Sequence, residues 1–212
     1  RRYSSAASDV YKRQLLMLQH RGQDAAGMVV CEPSGKLNSR KSKGYVRDVF
    51  QQNHMNNLQG NLGIGHVRYP TAGGIGKEFA QPMYVNTPYG ISLAHNGNLT
   101  NSKKLAAELF HAERRHINTD SDSEVLLNIF ALELSKQEAV FPKPKDFFTA
   151  VEKTHLRING AYAVVALITG YGILAFRDPL GIRPLSMGVR KGKNRNEYVV
   201  SSETALFSST GF

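Results

Sequence analysis

The order of strand-like and helix-like segments most strongly constrains the fold of this 212-residue chain. Short apolar patterns typical of strands occupy the chain up to residue 95, and apolar residues at helical spacing follow from residue 102 to residue 158. Two more strand patterns, Gly160–Thr169 and Tyr171–Asp178, flank a Thr-Gly turn. Because strands and helices are segregated along the chain and do not alternate, the pattern predicts an α+β fold with antiparallel sheets.

Apolar spacing and capping residues predict the individual elements. The helix from Ser121 to Lys136 has the clearest start, because Ser121 followed by Glu124 matches a capping box. The other predicted helices are Ser102–Phe110 and Pro144–Ile158, and the other predicted strands are Gly27–Glu32, Leu62–Arg68, Gly90–His95, Pro184–Gly188 and Glu197–Ser202.

The first residues of the chain differ in character from the rest. The segment RRYSSAASDVYKRQ is polar, rich in Ser and Ala, and shows no strand or helix period. We therefore expect an unrelated or disordered N-terminal segment at residues 1–14, followed by a single domain at residues 15–212.

Composition excludes several classes of function. The 27 basic and 17 acidic residues give a net charge of +10, but the basic residues lie in small scattered groups without a DNA-recognition pattern, so we expect no nucleic-acid partner. No apolar run is long enough to span a bilayer. The single cysteine, Cys31, cannot form an internal disulfide, and the seven histidines show no metal-ligand spacing. These features predict a cytoplasmic protein without a metal site.

Three polar clusters at the ends of predicted elements are candidates for chemistry. Arg68 ends a strand, and its guanidinium suits a carboxylate, although a surface arginine is the alternative. Asn96 and Gly97 supply two donors for an oxyanion hole, or form only a hairpin turn. Asp122 lies in the first turn of a predicted helix, where it binds a substrate ammonium or only complements the helix dipole.

Six segments taken together resemble a known family. They are LQHRGQDAAGM, GNLGIGHVRYPTAG, QPMYVNTPYGISLAHNGNLTN, HINTDSDSEVLLNIFA, GAYAVVALITGYG and FRDPLGIRPLSMG. They lie between Leu15 and Ser202 and are similar, in the same order, to the N-terminal glutaminase domain of the amidophosphoribosyltransferases, a family of class II glutamine amidotransferases.

The resemblance implies a fold and an activity. The fold is the N-terminal-nucleophile hydrolase fold, a four-layer αββα sandwich with two antiparallel sheets. The activity is hydrolysis of glutamine to glutamate and ammonia. The ammonia then reacts with phosphoribosyl pyrophosphate in a phosphoribosyltransferase domain, which gives phosphoribosylamine in the first step of de novo purine synthesis. The resemblance implies no cofactor in the glutaminase domain, Mg²⁺ in the phosphoribosyltransferase domain, and a homo-oligomer for the complete protein.

The resemblance also assigns site residues by position. Arg68 matches the residue that binds the α-carboxylate of glutamine, and Thr71 lies on the loop that closes over it. Asp122 matches the acid that binds the α-ammonium group. Asn96 and Gly97 match the oxyanion hole.

Two departures from the family pattern bear on activity. The family nucleophile is an N-terminal cysteine whose own α-amino group acts as the base, and residues 1–14 contain no cysteine. The chain also contains no segment similar to a phosphoribosyltransferase domain, so it matches a glutaminase domain truncated at both ends. We therefore expect the chain as given to be inactive. The alternatives are a catalytically silent glutamine-binding or regulatory module, and another class II amidotransferase.

Overall fold

The computed structural model describes residues 3–69, 76–137, 139, 141–192 and 195–212, with the backbone alone for residues 3–8. The helices are α1 (Tyr3–Met17), α2 (Val46–Val49), α3 (Gln52–Met55), α4 (Ser102–His111), α5 (Asp122–Ser135), α6 (Pro144–Arg157) and α7 (Ala205–Thr210). The strands are β1 (Ala25–Cys31), β2 (Leu37–Lys43), β3 (Leu62–Arg68), β4 (Met83–Val85), β5 (Ile91–Leu99), β6 (Gly160–Ile168), β7 (Gly172–Arg177), β8 (Ser186–Lys191) and β9 (Asn196–Ser201).

Two antiparallel sheets form the centre of the molecule. The first sheet has the order β2–β1–β3, the second has the order β4–β5–β6–β7, and β8 and β9 form a separate hairpin. The pairing of β1 with β3 places Ala25 opposite Arg68, and the pairing of β5 with β6 places Gly97 opposite Tyr162. These registers determine where the candidate residues of β3 and β5 lie.

Apolar residues on both faces of each sheet create four layers. Alternate residues of β1 point to opposite faces. Met28 and Val30 therefore pack with residues of α1, α2 and α3, whereas Val29 and Cys31 face the second sheet and contact Leu167. The other face of the second sheet packs against α4, α5 and α6. The predicted α+β sandwich of four layers is therefore confirmed. Of the helices described, none has the length and apolar character needed to cross a bilayer.

The described part of the N-terminal segment forms a helix, although the sequence shows no helical period there. Helix α1 covers Tyr3–Met17 and lies against β3. A Cβ atom on Gly63 would lie 2.7 Å from the ring of Tyr11, and one on Gly65 would lie 2.9 Å from Leu15. A few side chains of α1 therefore pack directly on glycines of β3. Because so few side chains take part, the contact leaves no periodic apolar pattern in the sequence of the helix.

Strand β5 is longer than predicted. The pattern placed its end at His95, because Asn and Gly favour turns. In the structure the strand continues to Leu99, and every residue from Ile91 to Leu99 is paired with β6. Strands β2 and β4 were not predicted, since β2 has the polar sequence LNSRKSK and β4 has three residues.

A histidine on β3 lies between the two sheets. The ring of His66 lies close to the backbone of His95 on β5, and its buried Nδ1 atom has no hydrogen-bond partner among the described residues. Burial, together with the neighbouring His95 and Arg68, lowers the pKa of His66 to about 4. His66 is therefore neutral at pH 7 in its position between the two sheets.

Leu15→Ala tests the docking of α1. Leu15 is 4% exposed, whereas the adjacent Leu16 is 40% exposed. Removing a buried leucine side chain costs about 2–5 kcal/mol of unfolding free energy, and a surface substitution changes it by less than about 0.5 kcal/mol. We expect urea denaturation to show a loss in this range for Leu15→Ala and little change for Leu16→Ala. Equal stabilities for the two variants would contradict the packing of α1 on β3.

His66 should make the stability of the domain depend on pH. Its pKa is about 4 in the folded protein and 6.5 in the unfolded chain, so the unfolded state binds the extra proton between these values. The free energy of unfolding should therefore fall as the pH decreases from 6.5 to 4, by roughly 3 kcal/mol from this group.

The measurement is the urea midpoint at several pH values for the wild type, His66→Gln and His111→Gln. His66→Gln should show a shallower dependence between pH 4 and 6.5. His111 is exposed at the end of α4, and its variant should follow the wild type. If His66→Gln kept the full pH dependence, the buried neutral state of His66 would be refuted.

Candidate active site

Among the residues that the structure describes, no strand covers one edge of β5 beyond Leu93. Strand β4 pairs with β5 only between Met83–Val85 and Ile91–Leu93. Along an antiparallel strand, the N–H and C=O groups of successive residues point alternately to the two edges. The residues of β5 beyond Leu93 therefore present every second peptide group to the side that β4 leaves open.

The hydrogen bonds of β5 show which residues face this open edge. The backbone N–H of His95 donates to the side chain of Gln81 at 2.6 Å, and the His95 carbonyl accepts from the same side chain at 3.1 Å. The N–H of Leu99 donates to Asp122 Oδ2 at 2.9 Å. Gly97 lies midway between these two residues and has the same orientation, so its N–H also points to the open edge.

Only glycine fits at position 97. Its φ angle is +156°, and a Cβ atom would lie 2.1 Å from the carbonyl oxygen of Ala161 and 2.7 Å from Cα of Tyr162. Tyr162, which lies opposite, directs its own N–H and C=O to Asp178 on the far side of β6, at 3.4 and 2.8 Å. The close approach of β6 therefore excludes a side chain at Gly97 and leaves the Gly97 amide directed away from β6.

Arg68 ends β3 and is fixed by Asp24. The Asp24 N–H donates to the Arg68 carbonyl at 3.0 Å, and Arg68 Nη1 donates to Asp24 Oδ2 at 2.6 Å. The guanidinium also lies over the ring of Phe79, 5.4 Å from its centre. Since a guanidinium carries five N–H donors, the ion pair with Asp24 does not exclude a second carboxylate as an acceptor.

Asp122 is the first residue of α5, and contacts at the start of this helix and at the end of β5 fix its position. Ser121 caps the helix by accepting from the Ser123 N–H at 3.3 Å. The predicted capping box is only half formed, because Glu124 accepts from the backbone N–H groups of residues 118 and 119 instead. Asp122 is thus a first-turn carboxylate, and one of its oxygens also anchors the end of β5.

His95 lies beneath this arrangement. Its Nδ1 is 3.0 Å from Ser123 Oγ and 3.9 Å from Asp122 Oδ1, and its buried Nε2 has no hydrogen-bond partner among the described residues. Burial lowers the pKa of His95, and the Asp122 carboxylate opposes this effect only in part. His95 is therefore neutral at pH 7.

These groups line one cavity of about 630 Å³, a size typical of small-molecule sites. Arg68, Asn96, Gly97 and Asp122 all contribute to its wall, and Asn96 is half-buried there. The cavity thus combines a cation, an anion and hydrogen-bond donors. Thr71, the remaining candidate, lies outside the described residues.

The single cysteine does not belong to this cavity. Cys31 is buried in β1, where its side chain faces the second sheet. Burial raises the pKa of its thiol, and Glu32 raises it further. Both effects disfavour the reactive thiolate. Within the described ranges, no group of three or more His, Cys, Asp or Glu residues is arranged to hold a metal ion.

Three residues of the site were not anticipated from the sequence. Asp24 pairs with Arg68, 44 residues away, so no local pattern indicates its role. Gln81 carried no signal, because its partner is a backbone group on another strand. His95 was part of the noted HNGN segment, but its burial beneath α5 depends on tertiary packing.

Comparison with known proteins identifies relatives along most of the chain. Amidophosphoribosyltransferase of Pseudomonas aeruginosa is 57% identical over 198 residues, and that of Escherichia coli is 55% identical over 199 residues. Each match covers 93% of this chain and 39% of the relative. The chain therefore spans about two-fifths of the length of these relatives.

Solved structures agree with this similarity. Glutamine phosphoribosylpyrophosphate amidotransferase from B. subtilis, in complex with ADP and GMP, has a TM-score of 0.79 at 32% identity and covers 97% of this chain and 41% of its own. An allosteric regulatory enzyme of purine biosynthesis has a TM-score of 0.81 at 34% identity, with 98% and 42% coverage. A family model described as the glutamine amidotransferase domain matches residues 75–209. The chain belongs to this glutamine amidotransferase domain family and has the N-terminal-nucleophile hydrolase fold of its relatives.

Proposed function

We propose that this domain binds glutamine and hydrolyses its side-chain amide to glutamate and ammonia within an amidophosphoribosyltransferase. The observation that carries the proposal is the convergence of Arg68, Asp122 and the Asn96–Gly97 segment on one cavity. Each group matches a different part of glutamine: a carboxylate, an ammonium group and a carboxamide. The relatives' name supports the assignment to this member of the family.

Arg68 and Asp122 recognise the amino-acid head group. The Arg68 guanidinium donates to the α-carboxylate in a paired geometry that a lysine cannot reproduce. Asp122 is held by the Leu99 N–H through Oδ2, and its Oδ1 accepts from the α-ammonium group. We also infer that Thr71, which follows β3 in the sequence, contributes to this recognition.

Asn96 and Gly97 act on the amide. Attack at the amide carbon moves an electron pair onto the carbonyl oxygen, and donors aimed at that oxygen lower the barrier. The Gly97 N–H faces the open edge of β5, and the Asn96 carboxamide supplies the second donor from the same cavity wall. These donors lie on a strand paired with β6 along its whole length, so their positions are preorganised.

Cys31 does not fit the role of the nucleophile. The family places it on an N-terminal cysteine, and the only cysteine here is Cys31. Cys31 is buried in β1, and burial raises its pKa. We therefore infer that Cys31 is not the nucleophile, and that hydrolysis requires an N-terminal cysteine of the kind that the family uses.

The full-length protein places this domain beside a phosphoribosyltransferase domain. The relatives are longer than this chain, which spans 39% of their length. In that second domain, ammonia displaces pyrophosphate from phosphoribosyl pyrophosphate with the help of Mg²⁺. We assign the metal to that domain, and no step of glutamine hydrolysis here depends on it. The complete protein is a cytoplasmic homo-oligomer.

Arg68→Lys tests head-group recognition. A charge-assisted hydrogen bond contributes roughly 1.5–3 kcal/mol, so losing the paired donors should raise the KM for glutamine about tenfold or more in the full-length enzyme. Ammonia release at varied glutamine concentration gives KM and kcat. Arg47→Lys, on the exposed face of α2, should leave both unchanged. An unchanged KM for Arg68→Lys would remove Arg68 from the substrate site.

Asn96→Ala tests the oxyanion hole. Its donor stabilises charge that develops only in the transition state, so kcat should fall about 10²–10³-fold with a much smaller change in KM. The matched control is Asn57→Ala, an exposed asparagine that does not line the cavity. If kcat stayed at the wild-type value, Asn96 would not be part of the oxyanion hole.

A further inference from the structure

The side chain of Gln81 replaces a strand residue opposite His95. Met83 of β4 lies opposite Leu93 of β5, so the continued register places residue 81 opposite residue 95. Pro82 lies between and has no backbone N–H to donate. The carboxamide of Gln81 forms both bonds that a paired strand residue would form: Oε1 accepts from the His95 N–H at 2.6 Å, and Nε2 donates to the His95 carbonyl at 3.1 Å.

The first sheet holds the backbone that carries the Gln81 side chain. Gln81 is 7% exposed, and a Cβ atom on Gly27 of β1 would lie 1.9 Å from the Gln81 carbonyl oxygen. Lys41 of β2 donates to the Pro82 carbonyl at 3.2 Å. The backbone at residues 81–82 is therefore anchored on the first sheet, while the Gln81 side chain reaches the second.

This replacement has a geometric consequence for Gly97. If backbone pairing had continued past Pro82, the incoming strand would lie beside Gly97 and cover its N–H. A side chain provides the same two hydrogen bonds at His95 and ends there. The edge of β5 is thus restrained at His95 by Gln81 and at Leu99 by Asp122, and the amide of Gly97 between them stays accessible from the cavity.

We propose that Gln81 is a positioning residue for the oxyanion hole, an inference that rests on the proposed function. Gln81 holds the His95 peptide, and His95 precedes Asn96 and Gly97 directly. Both polar atoms of its side chain are bound to the His95 peptide, so Gln81 acts on the transition state through the placement of these donors. Its loss should therefore lower kcat and leave KM nearly unchanged.

The test compares Gln81→Met with Gln59→Met in the full-length enzyme. Methionine is close to glutamine in length but cannot replace the two hydrogen bonds. Gln59 is an exposed glutamine whose side chain also donates to a backbone carbonyl, that of Asn56, away from the cavity. We expect Gln81→Met to lower kcat at least tenfold with KM within about threefold, because misplacing a preorganised donor affects mainly the transition state. Gln59→Met should match the wild type.

Each outcome decides between specific alternatives. A folded Gln81→Met enzyme with kcat within twofold of the wild type would overturn the inference, and so would a raised KM at unchanged kcat. Hydrogen exchange of the His95 amide in the wild-type protein gives a second test that does not depend on the variant folding. Strong protection is expected at this strand edge, and rapid exchange would show that Gln81 does not hold it. A wild-type enzyme without glutaminase activity would refute the proposed function instead.

Discussion

Strand β4 pairs with three residues of β5 and stops, and the edge that it leaves uncovered is the constraint on which the site depends. A backbone N–H without a partner is costly when it is buried, so an uncovered strand edge must be capped by side chains or remain open to solvent or a ligand. Gln81 binds this edge at His95 and Asp122 binds it at Leu99. The edge at Gly97, between them, faces the cavity. The polar HNGN segment is thus a strand interior with one edge left free for chemistry.

The two charged residues depend on the same framework. Arg68 is the last residue of β3, and the pairing of β1 with β3 brings Asp24 beside it. Asp122 begins α5, and its bond to the Leu99 N–H joins that helix to the end of β5. A change in the register of either sheet would move the arginine, the aspartate or the amide donors relative to one another. The apolar cores that fix these registers therefore also fix the spacing of the site.

The sequence predicted those parts of the molecule that depend on local pattern. The segregated order of strands and helices predicted the α+β class with antiparallel sheets, and the family resemblance implied the four-layer sandwich. The motifs identified Arg68, Asn96, Gly97 and Asp122, which line one cavity. Parts that depend on tertiary contact were missed. Helix α1 is held by glycines of β3, and Gln81 bonds to a backbone group. Neither contact leaves a periodic pattern in the sequence. The partner of α1 is a set of glycines without side chains, and the partner of Gln81 is a backbone group.

The burial of His95 affects the charge that Asp122 presents to the cavity. Its Nδ1 lies 3.9 Å from Asp122 Oδ1, close enough for a protonated imidazole to compete for that carboxylate. Burial lowers the pKa of His95, and its Nδ1 lies within hydrogen-bond distance of the Ser123 hydroxyl instead. Because His95 is neutral, it does not neutralise the negative charge of Asp122. The Asp122 carboxylate can then bind an ammonium group that enters from the cavity. The burial of His95 therefore supports the binding of an amino acid at this site.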